Sequence, residues 1–497
     1  MDKNTPQKDT PDYSVLVVDL DNTLIAADTL LESVILCLKS NPFSFFLLLG
    51  WLFKGKAYFK DQLAQRVCPK IEALPYRQEV LEFIDKEKTD GKQIILATAS
   101  NYRIADGVAN HLGLFADILA SDAGKNLSGE KKLEAILSRT GQKPFSYIGD
   151  SSADIPLWEA SAAAVLVNPS GKLLRRLEGH PKVDLFLNKN KDGQLKTWIK
   201  TLRLHQWSKN FLVFLPAVMA HRIAEPAIFF DLVLAFLSLS LSASAVYLLN
   251  DLLDLEADRQ HARKKYRPIA SGTFSINKAV FLIPVFLVLS AGIALITLPL
   301  PFFFSLFVFL ILTTLYSFYL KKQIIIDVIL LATLYTLRVI IGAIAVNILV
   351  SSWLLAFSMF FFLSLALMKR YSELLMMHED LEQIPGRGYM RLDCETTMIS
   401  GIVSGQLSLL VFALFMNSSG MKELYGKPNL LWYILPVLFY WLTRMWMIAH
   451  RGEMHEDPIV FTIKDKVSYV ALAIIALILI AASHQFDIIL PVRFLEP

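Results

Sequence analysis

The sequence predicts two architectures in one chain: a Rossmann-like α/β domain, then an all-α polytopic membrane domain of about nine transmembrane helices. Three observations carry that expectation. First, 54% of the 497 residues are hydrophobic, 19% are charged, and mean hydropathy is +0.45, more apolar than a soluble chain of several domains. Second, the chain changes character near residue 200: charged and apolar residues alternate before it, and runs long enough to cross a ~30 Å hydrocarbon core follow it. Third, the first part holds apolar, β-branched runs that each end in polar groups, as buried parallel strands do.

Composition also excludes several classes. Three widely spaced cysteines (Cys37, Cys68, Cys394) rule out a disulfide framework and a CxxC metal site. A net charge of +4 gives nucleic-acid binding no general support. The polar start, MDKNTPQKDTPDYS, lacks the apolar stretch of a signal peptide.

In the first part, SVLVVDL (14–20) delivers DLDNTL at its C-terminal end, where open α/β sheets bind ligands. IILATAS carries Thr98, and FSYIGDSSAD supplies Asp150 and Asp154. Asp19 is placed to attack phosphorus as a carboxylate nucleophile. Such attack on an anionic phosphate needs a cation to offset charge, and Asp19 with Asp150 offers hard oxygen ligands for Mg²⁺. Asp21, two residues on, points to the same side and suits proton transfer to the leaving oxygen and from water. Asp and Ser also favour caps and turns, but three such motifs in order, each after a strand, argue for a site. PFSFFLLLGWLF (42–53) is strongly apolar and too short to span; it reads either as the core of the helical stretch 28–90 or as an interfacial helix lying on a bilayer.

This part resembles the haloacid-dehalogenase superfamily of phosphohydrolases over 12–195, on the DxDxT pattern of Asp19, Asp21 and Thr23, then Thr98, a lysine, and GDSSAD. The resemblance implies a phosphatase, because family phosphatases carry a carboxylate at the position of Asp21. It implies Mg²⁺ held by Asp19, Asp21, Asp150 and Asp154, and a lysine that balances phosphoryl charge. Lys132 fits that spacing best, with Lys131 a close rival. A small cap domain is expected at about 28–90.

Beyond NKNKDGQLKTWIK, which reads as a solvated linker or a surface helix, apolar runs fall at roughly 207–221, 229–249, 277–297, 300–319, 324–346, 352–368, 396–417, 429–449 and 467–484. Loops after even-numbered spans carry fourteen Lys and Arg residues, from Arg259 to Lys466, against Arg222, Lys422, Lys427 and Arg493 on the other side. By the positive-inside rule the α/β domain is cytoplasmic and the C-terminus outside. The second span runs into NDLLDLEADRQHARKKYRPIASG, where Asn250, Asp254 and Asp258 share a helical face beside Asp251. Carboxylates at a membrane-embedded helix end need a partner, and with the cations that follow they describe a Mg²⁺–diphosphate site.

NDxxDxxxD resembles the UbiA-type intramembrane prenyltransferases, which are all-helical with nine spans, over 198–485. That family's second acidic motif, DxxxD after the sixth span, is absent. LALMKRYSELLMMHED stands there instead, with Lys369, Arg370, Glu373, Glu379 and Asp380. LRLHQWSKNFLVFLPAVMAHR, YSFYLKK with Asp327 and Arg338 following, LALMKRYSEL and HRGEMHEDPIVFTIKDK resemble one branch, the bacterial decaprenyl-phosphate phosphoribosyltransferases. The resemblance implies that Asn250, Asp251, Asp254 and Asp258 ligate Mg²⁺, with Asp251 and Asp254 catalytic. It further implies substrate contacts from Arg203, Gln206, Lys209, Lys265, Arg267, Tyr316, Lys321, Arg338, Lys369 and Arg370.

The expectation is therefore a bifunctional enzyme of the bacterial inner membrane. One half moves 5-phosphoribosyl from phosphoribosyl diphosphate to polyprenyl phosphate; the other removes the 5-phosphate on the way to cell-envelope glycans. A homo-oligomer is compatible with this, and nucleic acid is not a partner. The alternatives are prenylation of an aromatic acceptor from a prenyl diphosphate, and a membrane-tethered phosphatase with a non-catalytic helical scaffold.

Overall fold

The computed structural model describes residues 13–41, 43–169, 171–177, 183–187, 193–377, 382–384, 387–417, 425–454 and 457–483. Glu379, Asp380 and the C-terminal tail lie outside them. The chain divides into two compact units, Met1–Leu202 with Leu248–Leu282, and Arg203–Tyr247 with Ile283–Pro497.

In the first unit, six strands form one parallel sheet in the order β3-β2-β1-β4-β5-β6. These are β1 (Val15–Val18), β2 (Gln93–Asn101), β3 (Asp117–Ser121), β4 (Phe145–Gly149), β5 (Ala163–Val167) and β6 (Val183–Leu187). Every residue of β1, β4 and β5 is buried, which is why these strands read as unbroken apolar runs rather than as alternation. One face packs Val15, Val17, Ile95, Tyr147 and Leu166 on Ile136 and the fully buried Trp158. Between β1 and β2 lie α1 (Thr29–Ser40), α2 (Ser44–Leu52), α3 (Lys56–Arg66) and α4 (Gln78–Thr89). Asp28 starts α1 by accepting from Leu31 N at 3.1 Å, an N-cap that satisfies an otherwise orphan donor.

The first unit also takes in the end of α11 (Pro226–Leu253), the short α12 (Leu255–Gln260) and the start of α13 (Ile276–Thr297). Arg259 forms a two-pronged pair with Glu32 of α1, at 2.9 and 2.5 Å, and donates to Ala270 O at 3.1 Å. Both side chains are almost fully buried, where losing one partner costs about 3–5 kcal/mol.

The second unit is a helical bundle. Among the described residues seven helices are long and apolar enough to cross a membrane, or eight if the bent pair Pro458–Lys464 and Lys466–Ala482 counts as one span. Nine were expected. The run at 207–221 instead folds as a 3-10 helix, Leu204–Phe214, followed by one short helix, Leu215–Met219. Pro216 opens that helix, and Lys209 and Asn210 are buried before it, so this stretch serves polar contacts inside the bundle. Ile326–Ala345 is 67% buried and central, whereas Ile276–Thr297 and Leu300–Phe318 are 17% buried and present apolar faces that suit lipid. Ser238 and Ser242 meet Ser290 at 3.1 and 2.7 Å, the small-residue hydrogen bonding that joins helices where water is absent.

Candidate active sites

Strand adjacency builds the first site. Val18 of β1 lies beside Ile148 of β4, and Asp19 N donates to Ile148 O at 3.0 Å, so Asp19 and Asp150 emerge side by side. Ligand atoms of Asp19, Asp150 and Asp154 lie within 4.8 Å of one another. A Cβ on Gly149 would sit 2.7 Å from the Tyr147 ring and 2.8 Å from Asp154 Oδ2, so only glycine lets the loop close this tightly. Lys132 donates to Asp19 Oδ1 at 2.6 Å and to the Tyr147 hydroxyl at 2.7 Å, and Tyr147 donates to Asp154 Oδ1 at 2.8 Å. Lys131, the rival, is exposed.

Electrostatics mark the cluster as short of positive charge. Burial pushes Asp19 up to about 6, against the opposing pull of Lys132. Burial, then the Asp19 and Asp154 charges, push Asp150 up to about 8. Burial works to lower Lys132, yet Asp19 and Asp154 hold it above its usual range. Three crowded carboxylates with one ammonium fit a divalent cation of the oxygen-seeking kind.

Asp21 is oriented differently from the expected ligand set. Its Oδ1 accepts from Thr29 N at 2.9 Å and its Oδ2 from the Ser100 hydroxyl. Burial, then the Asp28 charge, push it up to about 7, so a proton is available at neutral pH. Thr98 is buried and accepts from Ser100 N at 3.0 Å. Ser100 itself was not singled out from the sequence, although IILATAS ends on it.

The acidic motif on α11 and α12 lies in the same unit. Arg267 bridges Asp251 at 3.1 Å and Asp258 at 2.5 Å, both carboxylates being buried. Asp254 is about 38% exposed on its side chain and stands 4.0 Å from Lys39. Asn250 is half-buried, and Lys265 is exposed over the Tyr266 ring.

In the second unit, Lys209 and Lys369 share Asp457 Oδ2, at 3.0 and 2.9 Å. Lys209 also bounds a groove of about 490 Å³ lined by Phe211, Phe214, Phe361, Trp441 and Leu472. Asp457 was missed from the sequence; Asp-Pro before a helix is legible as a cap, and it does accept from Ile459 N at 3.1 Å, but nothing local reveals its distant lysines. Arg338 donates to Asn210 Oδ1 at 2.9 Å, with its guanidinium over Tyr335 and Phe309. Arg370 has no exposed side chain, meets Asp327 at 2.8 Å and pairs with Glu373. The Tyr316 hydroxyl accepts from Arg387 at 3.2 Å. Arg203 lies over the Tyr247 ring, Gln206 N bonds Arg203 O at 2.7 Å, and Lys321 sits on the turn Leu320–Lys322. Within this unit the structure thus sets Lys209 beside Lys369, with which it shares Asp457, and beside Arg338, with which it shares the Tyr335 ring, while Tyr316 is linked to Arg370 through Arg387 and Glu373.

Fold and carboxylates together define a membrane enzyme carrying a phosphohydrolase-like α/β domain. The pattern of haloacid dehalogenase-like hydrolases matches residues 16–159, and that of the UbiA prenyltransferase family matches residues 211–464. The chain belongs to the UbiA prenyltransferase family. It is 38% identical over 468 residues to the uncharacterized protein y4nM of Sinorhizobium fredii, covering 93% of this chain and 89% of that one. It is 32% identical over 282 residues to the nodulation protein NoeC of Azorhizobium caulinodans, covering 56% of this chain and 91% of that one. A decaprenyl-phosphate phosphoribosyltransferase of Corynebacterium glutamicum is 36% identical over 184 residues, 36% of this chain and 55% of that one.

Proposed function

We propose that the membrane domain transfers 5-phosphoribosyl from phosphoribosyl diphosphate to a polyprenyl phosphate, and that the α/β domain hydrolyses the 5-phosphate of the product. The observation that carries the first step is the Lys209–Asp457–Lys369 cluster with Lys209 among the residues that line the apolar groove. An anionic headgroup on an apolar tail fits that pairing. Similarity to the decaprenyl-phosphate phosphoribosyltransferases supports the same reading. The acceptor phosphate oxygen forms the new bond to C1 as the bond from C1 to diphosphate breaks. The acceptor is already anionic, so positioning and charge stabilisation suffice. Asp251, Asp254 and Asp258 would hold Mg²⁺, which when bound offsets diphosphate charge.

In the α/β domain, Asp19 attacks the 5-phosphoryl group and Asp21 gives its proton to the departing ribose oxygen. Asp21 then takes a proton from the water that hydrolyses the aspartyl phosphate. Lys132 balances charge on the transferred group, and Asp19, Asp150 and Asp154 would hold Mg²⁺. The Lys and Arg bias of the loops supports a cytoplasmic side for this domain, in what we read as a bacterial inner membrane.

Two experiments divide these assignments. Lys369→Ala should weaken binding of the anionic substrates by about tenfold or more, measured by isothermal titration in nanodiscs. Arg370→Ala should instead lower the melting temperature, because it takes the nearer cation from the buried Asp327 and leaves it Arg387 at 3.5 Å and the Tyr389 hydroxyl at 2.7 Å. Equal loss of affinity with unchanged melting in both variants would remove the distinction.

The second concerns metal and pH. Asp19, Asp21 and Asp150 titrate near 6, 7 and 8 in the folded chain, against an ordinary value of 3.8. A raised folded value favours the neutral form, so its stabilising contribution is full below about pH 4 and is lost as pH rises through 6 to 8. Mg²⁺ binds the charged carboxylates. Mg²⁺ should therefore raise the melting temperature, followed by tryptophan fluorescence, more at about pH 8.5 than at about pH 5.5. Equal shifts at both pH values would contradict the assignment.

A further inference from the structure

A second polar cavity adjoins the carboxylate cluster. Its volume is about 390 Å³, and Asp150 is common to both. One wall comes from the α/β domain, with Arg77 and Asn168. The other comes from the loop that precedes α13 and from the first turn of that helix, with Thr273, Asn277 and Lys278. All of these residues belong to the first unit.

The wall is built rather than incidental. Gly272, at φ +73°, approaches Ala26 so closely that a Cβ there would collide with the Ala26 carbonyl oxygen and side chain. The loop is tightened by Ser271 N on Arg267 O at 2.9 Å and Phe274 N on Pro268 O at 2.9 Å. Arg259, clamped on Glu32, also holds the Ala270 carbonyl.

The lining points to an anion. Asp150 faces the metal-ligand cluster, and the other acidic residue of the lining, Asp28, is engaged as the cap of α1. Arg77 and Lys278 form no ion pair among the described residues. Arg77 Nε is buried without a hydrogen-bond partner, and such a donor costs free energy until an acceptor meets it. Lys278 stands in the first turn of α13, a 22-residue helix long and apolar enough to cross a membrane. A ligand at that turn lies at the level of lipid headgroups.

We propose that this cavity holds the part of the phosphatase substrate that is not transferred, and that this part is the phosphodiester of a membrane lipid, recognised by Arg77 and Lys278. The substrate then has two anionic centres, a monoester at Asp19 and a diester at the two cations. This rests on reading Asp19 as a phosphatase nucleophile, and it makes the loop of the membrane domain a specificity element for the neighbouring reaction.

The test uses the full chain in nanodiscs and two probes, 5-phosphoribosyl farnesyl phosphate and ribose 5-phosphate, with phosphate release as readout. The wild type should prefer the diester-bearing probe in kcat/KM by at least about tenfold. Lys278→Ala and Gly272→Val should each cut that preference by about tenfold. Binding of the farnesyl probe to Asp19→Asn protein should weaken by a similar factor when Lys278→Ala is added. An unchanged preference in Lys278→Ala, or unchanged binding in the double variant, overturns the proposal. If the wild type releases phosphate from neither probe while binding still depends on Lys278, the cavity assignment stands and the phosphatase reading falls.

Discussion

Asp19→Asn should abolish phosphate release, by at least about 10⁴-fold, the scale on which loss of a covalent nucleophile is felt. The substitution nearly preserves shape, and it removes one charge from a buried cluster whose members already resist ionisation. Lys132 keeps Asp154 at 3.8 Å and Tyr147 at 2.7 Å, so folding should survive. The variant should therefore still make the lipid-linked phosphoribose and accumulate it with its 5-phosphate in place. A variant that releases phosphate at the wild-type rate removes Asp19 from the chemistry.

The second large effect is expected at the acidic motif on α11. Asp251→Ala should lower transfer by at least about 100-fold, the several kcal/mol that a bound cation contributes to charge stabilisation. Donor binding should also lose its dependence on Mg²⁺. Asp251 is buried and bonded to Arg267, so part of its effect falls on structure. Asp254 is more exposed, which makes Asp254→Asn the cleaner variant. It should lose transfer and Mg²⁺-dependent donor binding while melting like the wild type. Donor affinity that is the same with and without Mg²⁺ in the wild-type protein would contradict this.

The carboxylate cluster was legible because each acid follows a buried strand, and neighbours in a parallel sheet end at the same edge. Helix phase separates Lys132 from Lys131 as well: Lys132, Ile136 and Thr140 recur at four-residue spacing and are the buried residues of their helix. Sequence failed where contacts are distant. Lys209 and Asp457 are 248 positions apart, and no local pattern announces their meeting. The run at 207–221 is helical but not one regular α-helix, because hydropathy counts composition and not hydrogen bonding. Asn210, inside that run, donates to Ser240 and accepts from Arg338, and a 3-10 backbone places it there. The apolar 42–53 segment divides between both readings: Leu48 and Trp51 pack in the cap, while Phe43, Phe46 and Phe53 are exposed.

Product analysis bears most directly on the proposed pair of reactions. Purified full-length protein in lipid nanodiscs is given Mg²⁺, labelled phosphoribosyl diphosphate and a polyprenyl phosphate, and the lipids are resolved by mass. The wild type should yield polyprenyl-phosphoribose, and Asp19→Asn should stop at 5-phosphoribosyl polyprenyl phosphate. A protein that ignores phosphoribosyl diphosphate, yet consumes geranyl or farnesyl diphosphate with an aromatic acceptor, would contradict the account.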